Sequence, residues 1–264
     1  MRYRPLLAFI LGSLQALYPG EAVRAEATGA QRLLAAYPEQ LSHIDGNDLV
    51  WRDGTRMAID DGRRSKGYEE RLSSPDLEDM FYAPYPSGRT GLPPADSMDP
   101  GRVRHAAFFS KMYGSCEAGA VAHNLVEIVW LPRTAPQKLT VTRLNGVAQR
   151  IEAVSRELEG LPASVRRFLS PAAGTYACRP IAGTNRTSPH GYGIAIDIAT
   201  ATADYWRWSD RRWSSRGAGR PIVHRNRIPW EVVEIFERHG FIWGGKWYHY
   251  DTMHFEYRPE LLPR

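Results

Sequence analysis

Apolar residues recur at every third or fourth position in three segments of the second half of the chain, which predicts amphipathic helices. The first pattern begins near residue 121 and must end at Pro132. The second runs from a cap at Asn145 to a stop at Gly160, and the third covers residues 229–239, with proline in its first turn. The apolar faces of the first two helices are formed by Val121, Leu125 and Ile128, and by Val147, Ile151, Val154 and Leu158.

Short apolar runs predict strands at residues 139–142, 174–179, 193–198 and 253–257. Predicted helices mostly precede these short strands, an order that indicates an α+β fold. Residues 26–110 differ, because they are rich in turn formers and charge and have few periodic runs. We expect this segment to be irregular and to pack on the part that follows.

The first residues have the pattern of an export signal. Arg2 and Arg4 precede an apolar stretch at residues 5–18, and small residues stand at the −3 and −1 positions of a cleavage site after Ala25. The stretch is shorter than the roughly 20 apolar residues that span a membrane. We therefore expect cleavage and export to the periplasm or cell envelope, with an uncleaved N-terminal anchor as the alternative.

The two cysteines of the chain, Cys116 and Cys178, are predicted to form a disulfide, because an even count in an exported protein favours one. They stand far apart and neither belongs to a C-x-x-C pair, which argues against a zinc site built on them. The bond would pin the segment beside Arg179 to a helix in the N-terminal half.

The charge of the chain is mildly basic. Its formal net charge is +5, and removal of residues 1–25 takes away three arginines and one glutamate, which leaves +3. Such a charge is a weak indication of an anionic partner such as cell wall. No long run of one sign indicates nucleic-acid binding.

Two separated segments, residues 188–197 and 251–254, carry metal-binding chemistry. His190, Asp197 and His254 offer two imidazoles and one carboxylate, a set that suits Zn²⁺ and leaves one coordination position open. The same ligand types occur in non-haem iron sites, so they do not decide the metal by themselves. An open position is typical of catalytic zinc sites rather than structural ones.

The local pattern indicates how these groups would meet. Gly193, Ala195 and Asp197 alternate along a predicted strand, where the two small residues would leave room beside the carboxylate. Asp251 stands three residues before the second histidine ligand and is placed to take a proton from an attacking water as a general base. A turn carboxylate is the alternative for this residue.

Other residues are candidates for the same cleft. Residues 243–250 lead into the second segment, and we expect Trp247 to contact the substrate. His249 is a transition-state contact, a spare ligand or an ordinary core or surface histidine. Residues 199–228 combine four aromatic residues with seven arginines, and they form either a lid or basic wall, or ordinary packing and surface.

The two segments resemble the M15 family of zinc peptidases, which includes VanY-like D-alanyl-D-alanine carboxypeptidases and L-alanyl-D-glutamate endopeptidases. The resemblance covers about residues 136–264. VanY-like members carry Glu-Pro-Trp-His where this chain has Asp-Thr-Met-His at residues 251–254, which leaves the subfamily open. The matching positions are Ser188, His190, Gly193, Ala195, Asp197, Asp251, His254 and Phe255.

The resemblance implies a fold and a set of roles. The fold is an α+β core with a small antiparallel sheet flanked by helices, as in the D-Ala-D-Ala peptidase and Hedgehog-like proteins. Asp251 would be the general base, Arg179 would stabilise the oxyanion unless it forms a structural salt bridge, and Ser188 would lie at the substrate cleft. The ligands of one zinc ion would be His190, Asp197 and His254.

The export signal and the resemblance together divide the chain into a signal peptide at 1–25, an N-terminal extension packed on the core at 26–135 and a peptidase domain at 136–264. The expected function is hydrolysis of peptidoglycan stem peptides, first as a D-alanyl-D-alanine carboxypeptidase. The alternatives are an L-alanyl-D-glutamate endopeptidase, a non-catalytic zinc-containing wall-binding module and, more distantly, a serine hydrolase built on Ser188. A binding module needs no base, so the presence of Asp251 and Arg179 argues against it.

Overall fold

The computed structural model describes residues 27–92, 94–208 and 222–263. The predicted export signal and the middle of the arginine-rich stretch, including Trp213, lie outside these residues. Within the described ranges, no helix is long and apolar enough to cross a membrane. The α-helices described are α1 (Gly29–Ala36), α2 (Tyr68–Ser73), α3 (Ala106–Tyr113), α4 (Val147–Leu158) and α5 (Trp230–Arg238).

The strands of the described part form three small antiparallel sheets, with the orders β1-β2-β3, β4-β5 and β6-β8-β7. In the third sheet, β8 lies in the centre and pairs with β6 on one side and β7 on the other. Antiparallel sheets packed with helices confirm the predicted α+β class. The strands are β1 (Leu41–Asp45), β2 (Asp48–Trp51), β3 (Arg56–Ala58), β4 (Leu125–Trp130), β5 (Gln137–Thr142), β6 (Ala195–Asp197), β7 (Phe241–Trp243) and β8 (His254–Tyr257).

One hydrophobic core joins both halves of the chain. Leu33 of α1 and Phe108 of α3 are buried in the same cluster as Phe236 of α5 and Phe255 of β8. The rings of Phe236 and Phe255 stack with their centroids 3.8 Å apart. Because side chains alternate along a strand, this contact directs the next residue back along β8, His254, to the opposite face of the sheet.

Two of the three predicted helices are confirmed, as α4 and α5. The predicted helix that ends at Pro132 is wrong, because its second half forms β4 and pairs with β5 along the whole strand. Val126, Ile128 and Trp130 in the same stretch also alternate with a period of two. Ile128 and Trp130 are buried, whereas Glu127 and Val129 are exposed, and pairing with β5 decides between the two periods.

The predicted strands are confirmed in three places, as β5, a shortened β6 and β8. Residues 174–179 form no strand, although Gly174 makes an isolated bridge to Asp197. The sheet β1-β2-β3 was not predicted, although the tight turns that connect its strands are visible in the sequence. The described residues from 82 to 105 form no helix or strand, as expected for their proline content.

The predicted disulfide between Cys116 and Cys178 is confirmed. Its Cα atoms lie 5.6 Å apart, and the bond joins residues that are 62 positions apart in the sequence. Cys116 lies just after α3, and Cys178 directly precedes Arg179. The bond therefore fixes the segment carrying Arg179 to the N-terminal half, as the sequence predicted.

Replacing both Cys116 and Cys178 with serine should lower the free energy of unfolding by about 2–4 kcal/mol, because the bridge restricts a long loop of the unfolded chain. Denaturant unfolding of the chelator-treated protein, with and without reducing agent, measures this effect. Reduction should bring the parent protein to the stability of the double variant and leave the variant unchanged. Equal stability of the oxidised parent and the variant would contradict the expectation.

Candidate metal centre

The pairing of β6 with β8 brings two of the predicted metal ligands together. Asp197 and His254 are register partners on these antiparallel strands, so their side chains project from one face at close range. His254 Nδ1 lies 3.0 Å from Asp197 Oδ1, although the residues are 57 positions apart in the sequence. Sheet pairing thus joins the two halves of the split motif.

His190 reaches the same point from the turn before β6. It lies in the 3₁₀ turn Pro189–Tyr192, which ends at Gly193 with a left-handed φ of 69°. A Cβ at Gly193 would lie 2.8 Å from the Thr142 backbone nitrogen, so this position needs glycine for its conformation and for the close approach of β5. Gly193 lies outside β6, and it turns the chain rather than making room beside Asp197 as predicted.

The ligand atoms of His190, Asp197 and His254 lie within 4.8 Å of one another, and each histidine is 5% exposed. The other nitrogen of each ring has its own acceptor. His190 Nδ1 donates to the Thr175 carbonyl oxygen at 2.5 Å, and His254 Nε2 lies 3.5 Å from Glu256 Oε2. These contacts orient the rings and leave one nitrogen of each facing Asp197, an arrangement typical of metal-binding histidines. The donor set therefore fits a divalent metal ion.

Opposite charges hold the three side chains of the cluster together. Burial opposes ionisation of Asp197, but His190 and His254 outweigh it and keep the pKa of this carboxyl well below its usual range. Burial also opposes protonation of His254, yet its hydrogen bonds to Asp197 and Glu256 raise its pKa to about 9. An imidazole ligand is neutral, so metal binding near neutral pH must displace a proton from His254.

A buried ion pair supports His254 from behind. Arg104 forms two hydrogen bonds to the carboxylate of Glu256, one of them at 2.7 Å, and the Glu256 side chain is fully buried. Burial opposes ionisation of Glu256, but the Arg104 guanidinium outweighs it and holds the pKa of Glu256 well below its usual range. Glu256 thus stays a carboxylate and can accept the Nε2–H of His254.

Asp251 lines the same cleft as the three ligands. Its backbone lies in the turn before β8, where a Cβ at Gly244 would come within 2.6 Å of the Asp251 carbonyl oxygen. Its Oδ1 atom is buried and has no hydrogen-bond partner among the described residues. Burial, and next the Asp197 carboxylate, raise the pKa of Asp251 to about 6. A carboxyl poised near neutral pH and free to accept a proton suits a general base.

The cleft is a cavity of about 280 Å³ that also contains the other predicted site residues. The Ser188 amide donates to the Arg179 carbonyl at 3.0 Å, which places both residues on one wall. On the other side, the Trp247 ring centroid lies 5.5 Å from that of His254, and its Nε1 donates to the Pro100 carbonyl at 2.7 Å. Arg179, Ser188 and Trp247 all line the cavity, and their roles remain predictions.

Two charged cleft residues were missed by the sequence reasoning. Arg102 and Arg104 line the cavity, yet they come from the proline-rich segment that carried no periodic pattern. His254 and Glu256 alternate on β8, so a carboxylate lies on the same face of the strand as the candidate ligand. Such a buried carboxylate needs a basic partner, and this need was the one signal in the sequence that could have indicated an arginine. Nothing in the sequence indicated which of the many arginines would supply it.

Two further candidates from the sequence lie at the edge of the cleft. Tyr205 and Trp208 line it, and Trp208 is 51% exposed. His249 does not line it among the residues described, because its Nδ1 is held 2.7 Å from Asp99 Oδ2 and its ring stacks on Tyr68. The histidine is therefore part of a packed polar group beside the cleft.

A second acidic group among the described residues does not form a comparable site. Asp60, Asp61 and Asp76 lie close together, but the buried Lys66 ammonium is 2.8 Å from both Asp61 and Asp76 and 2.6 Å from Asp79. The lysine supplies the positive charge that a cation would bring.

Comparison with known families identifies the class of protein that this site defines. Residues 182–257 match the family model described as D-alanyl-D-alanine carboxypeptidase, within the M15 peptidases. The match supports an M15 peptidase and covers less than a third of the chain. The matched range includes the three ligands and Asp251 but not Arg179, and it is shorter than the resemblance predicted from the sequence. Searches of curated proteins and of solved structures give no significant match.

Replacing His190 with alanine should reduce bound metal from about one ion per chain to near zero, because two protein ligands hold a divalent ion far more weakly than three. Elemental analysis after dialysis against zinc, and the rise in melting temperature on zinc addition, measure this. His43→Ala, an exposed position on β1, is the matched control and should bind as the parent does. Full metal content in His190→Ala would remove this residue from the ligand set.

Proposed function

We propose that this chain is an exported, zinc-dependent D-alanyl-D-alanine carboxypeptidase that removes the terminal D-alanine of peptidoglycan stem peptides. One observation carries the proposal. Three convergent candidate ligands, His190, Asp197 and His254, share a cleft with a buried carboxylate oxygen of Asp251 that has no hydrogen-bond partner in the described part of the chain. A purely structural metal site has no use for such a base, whereas hydrolysis of an amide requires one.

Zinc is the proposed metal because two neutral imidazoles and one carboxylate are a common ligand set for it. When bound, Zn²⁺ would polarise the scissile carbonyl and make a water molecule more acidic. The ring orientations set by Thr175 and Glu256 prepare the two histidines for this ion. The matched family description supports a peptidase, and the choice of metal rests on the donor chemistry.

The protein's own groups have distinct roles in the proposed reaction. Asp251 takes a proton from the attacking water and delivers it to the leaving amine, and its raised pKa suits both transfers. Arg179 donates hydrogen bonds to the carbonyl oxygen as negative charge develops on it. Ser188 and Trp247 line the cavity and position the peptide.

Two observations support export. The first 25 residues have the n-region, apolar stretch and cleavage site of a signal peptide. The disulfide between Cys116 and Cys178 fits a protein that folds in an oxidising compartment. Both agree with a substrate located in the cell wall.

Mass spectrometry of muropeptides digested with the zinc-loaded mature protein tests the proposal. Pentapeptide stems should lose the mass of one D-alanine, and the loss should stop when a chelator is added and return with zinc. Cleavage between L-alanine and D-glutamate would replace the carboxypeptidase with the endopeptidase. Intact stems in the presence of bound zinc would contradict peptidase activity on this substrate.

Replacing Asp251 with asparagine should lower kcat by about 10²- to 10⁴-fold, because the amide keeps the shape of the side chain but cannot accept the proton. Zinc content should stay at the parent level, since Asp251 is not a predicted ligand. Asp96→Asn, an exposed substitution, serves as the control and should leave kcat unchanged. Full activity of Asp251→Asn with zinc bound would disprove the assignment of the base.

A further inference from the structure

A short hairpin at residues 179–187 forms the outer part of one wall of the cleft, and we call it the wall loop. Arg179, Ile181 and Ala182 of the wall loop line the cavity. The Ile181 amide donates to the Arg186 carbonyl at 2.8 Å, so the hairpin is bonded within itself. None of its residues is buried. A segment with so little buried surface opens at low cost in free energy.

The disulfide between Cys116 and Cys178 is attached at the start of the wall loop. Cys178 is exposed and directly precedes the loop, whereas Cys116 is buried in the turn that follows α3. A contact from another side is weaker, because Arg207 Nη1 donates to the Ala182 carbonyl at 3.3 Å in an exposed position. The disulfide is therefore the firmest tie between the start of the wall loop and the rest of the protein.

The turn that carries the candidate ligand His190 has anchors of its own. Tyr192 is buried, and its ring centroid lies 5.7 Å from that of Phe109 on α3. His190 Nδ1 donates to the Thr175 carbonyl, and Thr175 Oγ1 donates to the carbonyl of Thr140 on β5 at 2.5 Å. These contacts do not pass through the wall loop. Breaking the disulfide should therefore leave the metal ligands in place.

We infer that the disulfide positions the wall loop for the substrate, so that breaking the bond impairs the reaction while the metal stays bound. The effect on the reaction rests on the proposed function. Arg179 directly follows Cys178, so a shift at the start of the loop moves the group proposed to stabilise the oxyanion. A displacement of about 1 Å can cost about 100-fold in rate, even when it originates away from the reacting atoms.

Hydrogen exchange followed by mass spectrometry tests the loop without requiring turnover. In zinc-loaded Cys116→Ser/Cys178→Ser, amides of residues 181–188 should exchange about tenfold or more faster than in the parent, because the wall loop opens locally. Residues 189–197 and 254–257 should exchange at the parent rate. Elemental analysis should find the zinc content of the parent, since the three ligands are unchanged.

Ile151→Ala is the matched control, because it removes buried volume from α4 and lowers global stability to a degree similar to the loss of a disulfide. It should leave exchange of the wall loop unchanged. Equal exchange of the wall loop in the parent and the double variant would overturn the inference. Exchange that rises equally in the wall loop, β6 and β8 would also overturn it, as would loss of zinc with the bond.

Kinetics connect the bond to Arg179. On an acylated peptide ending in D-Ala-D-Ala, the double cysteine variant should lose about 10- to 100-fold in kcat/KM at the zinc content of the parent. Arg179→Ala should cost much less in the double cysteine variant than in the parent, because a displaced side chain no longer contributes. Fully additive losses would mean that the bond acts without Arg179, and they would overturn its positioning role.

Reduction makes the same comparison within one protein. Cys178 is exposed, which gives a water-soluble phosphine access to the bond. The sulfur–sulfur bond breaks, each sulfur becomes a thiol with a hydrogen from water, and the phosphine takes the oxygen as its oxide. The reduced parent should match the double cysteine variant in exchange and in kcat/KM, and the phosphine should not change the variant. If the variant does not fold, the reduced parent decides.

Exchange and kinetics separate this inference from the proposed function. Faster local exchange in the zinc-loaded variant, without release of D-alanine by the parent, would support the positioned loop and contradict the carboxypeptidase. Release of D-alanine with equal kcat/KM by the parent and the double cysteine variant would support the carboxypeptidase and overturn the positioning role of the disulfide.

Discussion

The register between β6 and β8 is the constraint on which the metal centre depends. A slip of one residue would turn His254 to the other face of the sheet and bring Phe255 into its place. The stacking of Phe255 on Phe236 opposes such a slip, because it would expose a ring that is now fully buried. Ligand geometry and core packing are thus enforced by two consecutive residues of one strand, which face opposite sides of the sheet.

A series of side chains of alternating charge leads from Arg104, in the proline-rich segment at residues 82–105, to the candidate metal ligands. Arg104 pairs with Glu256, Glu256 faces His254, and His254 contacts Asp197. Each buried group is compensated by the next, which is the condition under which buried charge is tolerated. The segment that looked irregular in sequence therefore supports the site electrostatically, besides lining the cleft.

The sequence predicted which side chains meet in the cleft better than it predicted the architecture around them. The spacing of His190 and Asp197, and of Asp251 and His254, identified side chains that the fold brings into one cleft, because short motifs determine local geometry. The period of β4 was ambiguous until pairing with β5 decided it. The arginines of the cleft were not predictable, since their positions depend on long-range packing of a segment without periodicity.

The buried Arg104–Glu256 pair has a consequence for how the molecule can be divided. Glu256 lies inside the range matched by the family, whereas Arg104 lies far outside it. A fragment limited to residues 182–257 would leave a buried carboxylate without its partner, at a cost of about 3–5 kcal/mol. The candidate metal site of this chain is therefore not an autonomous module, because it needs the preceding segment to neutralise Glu256.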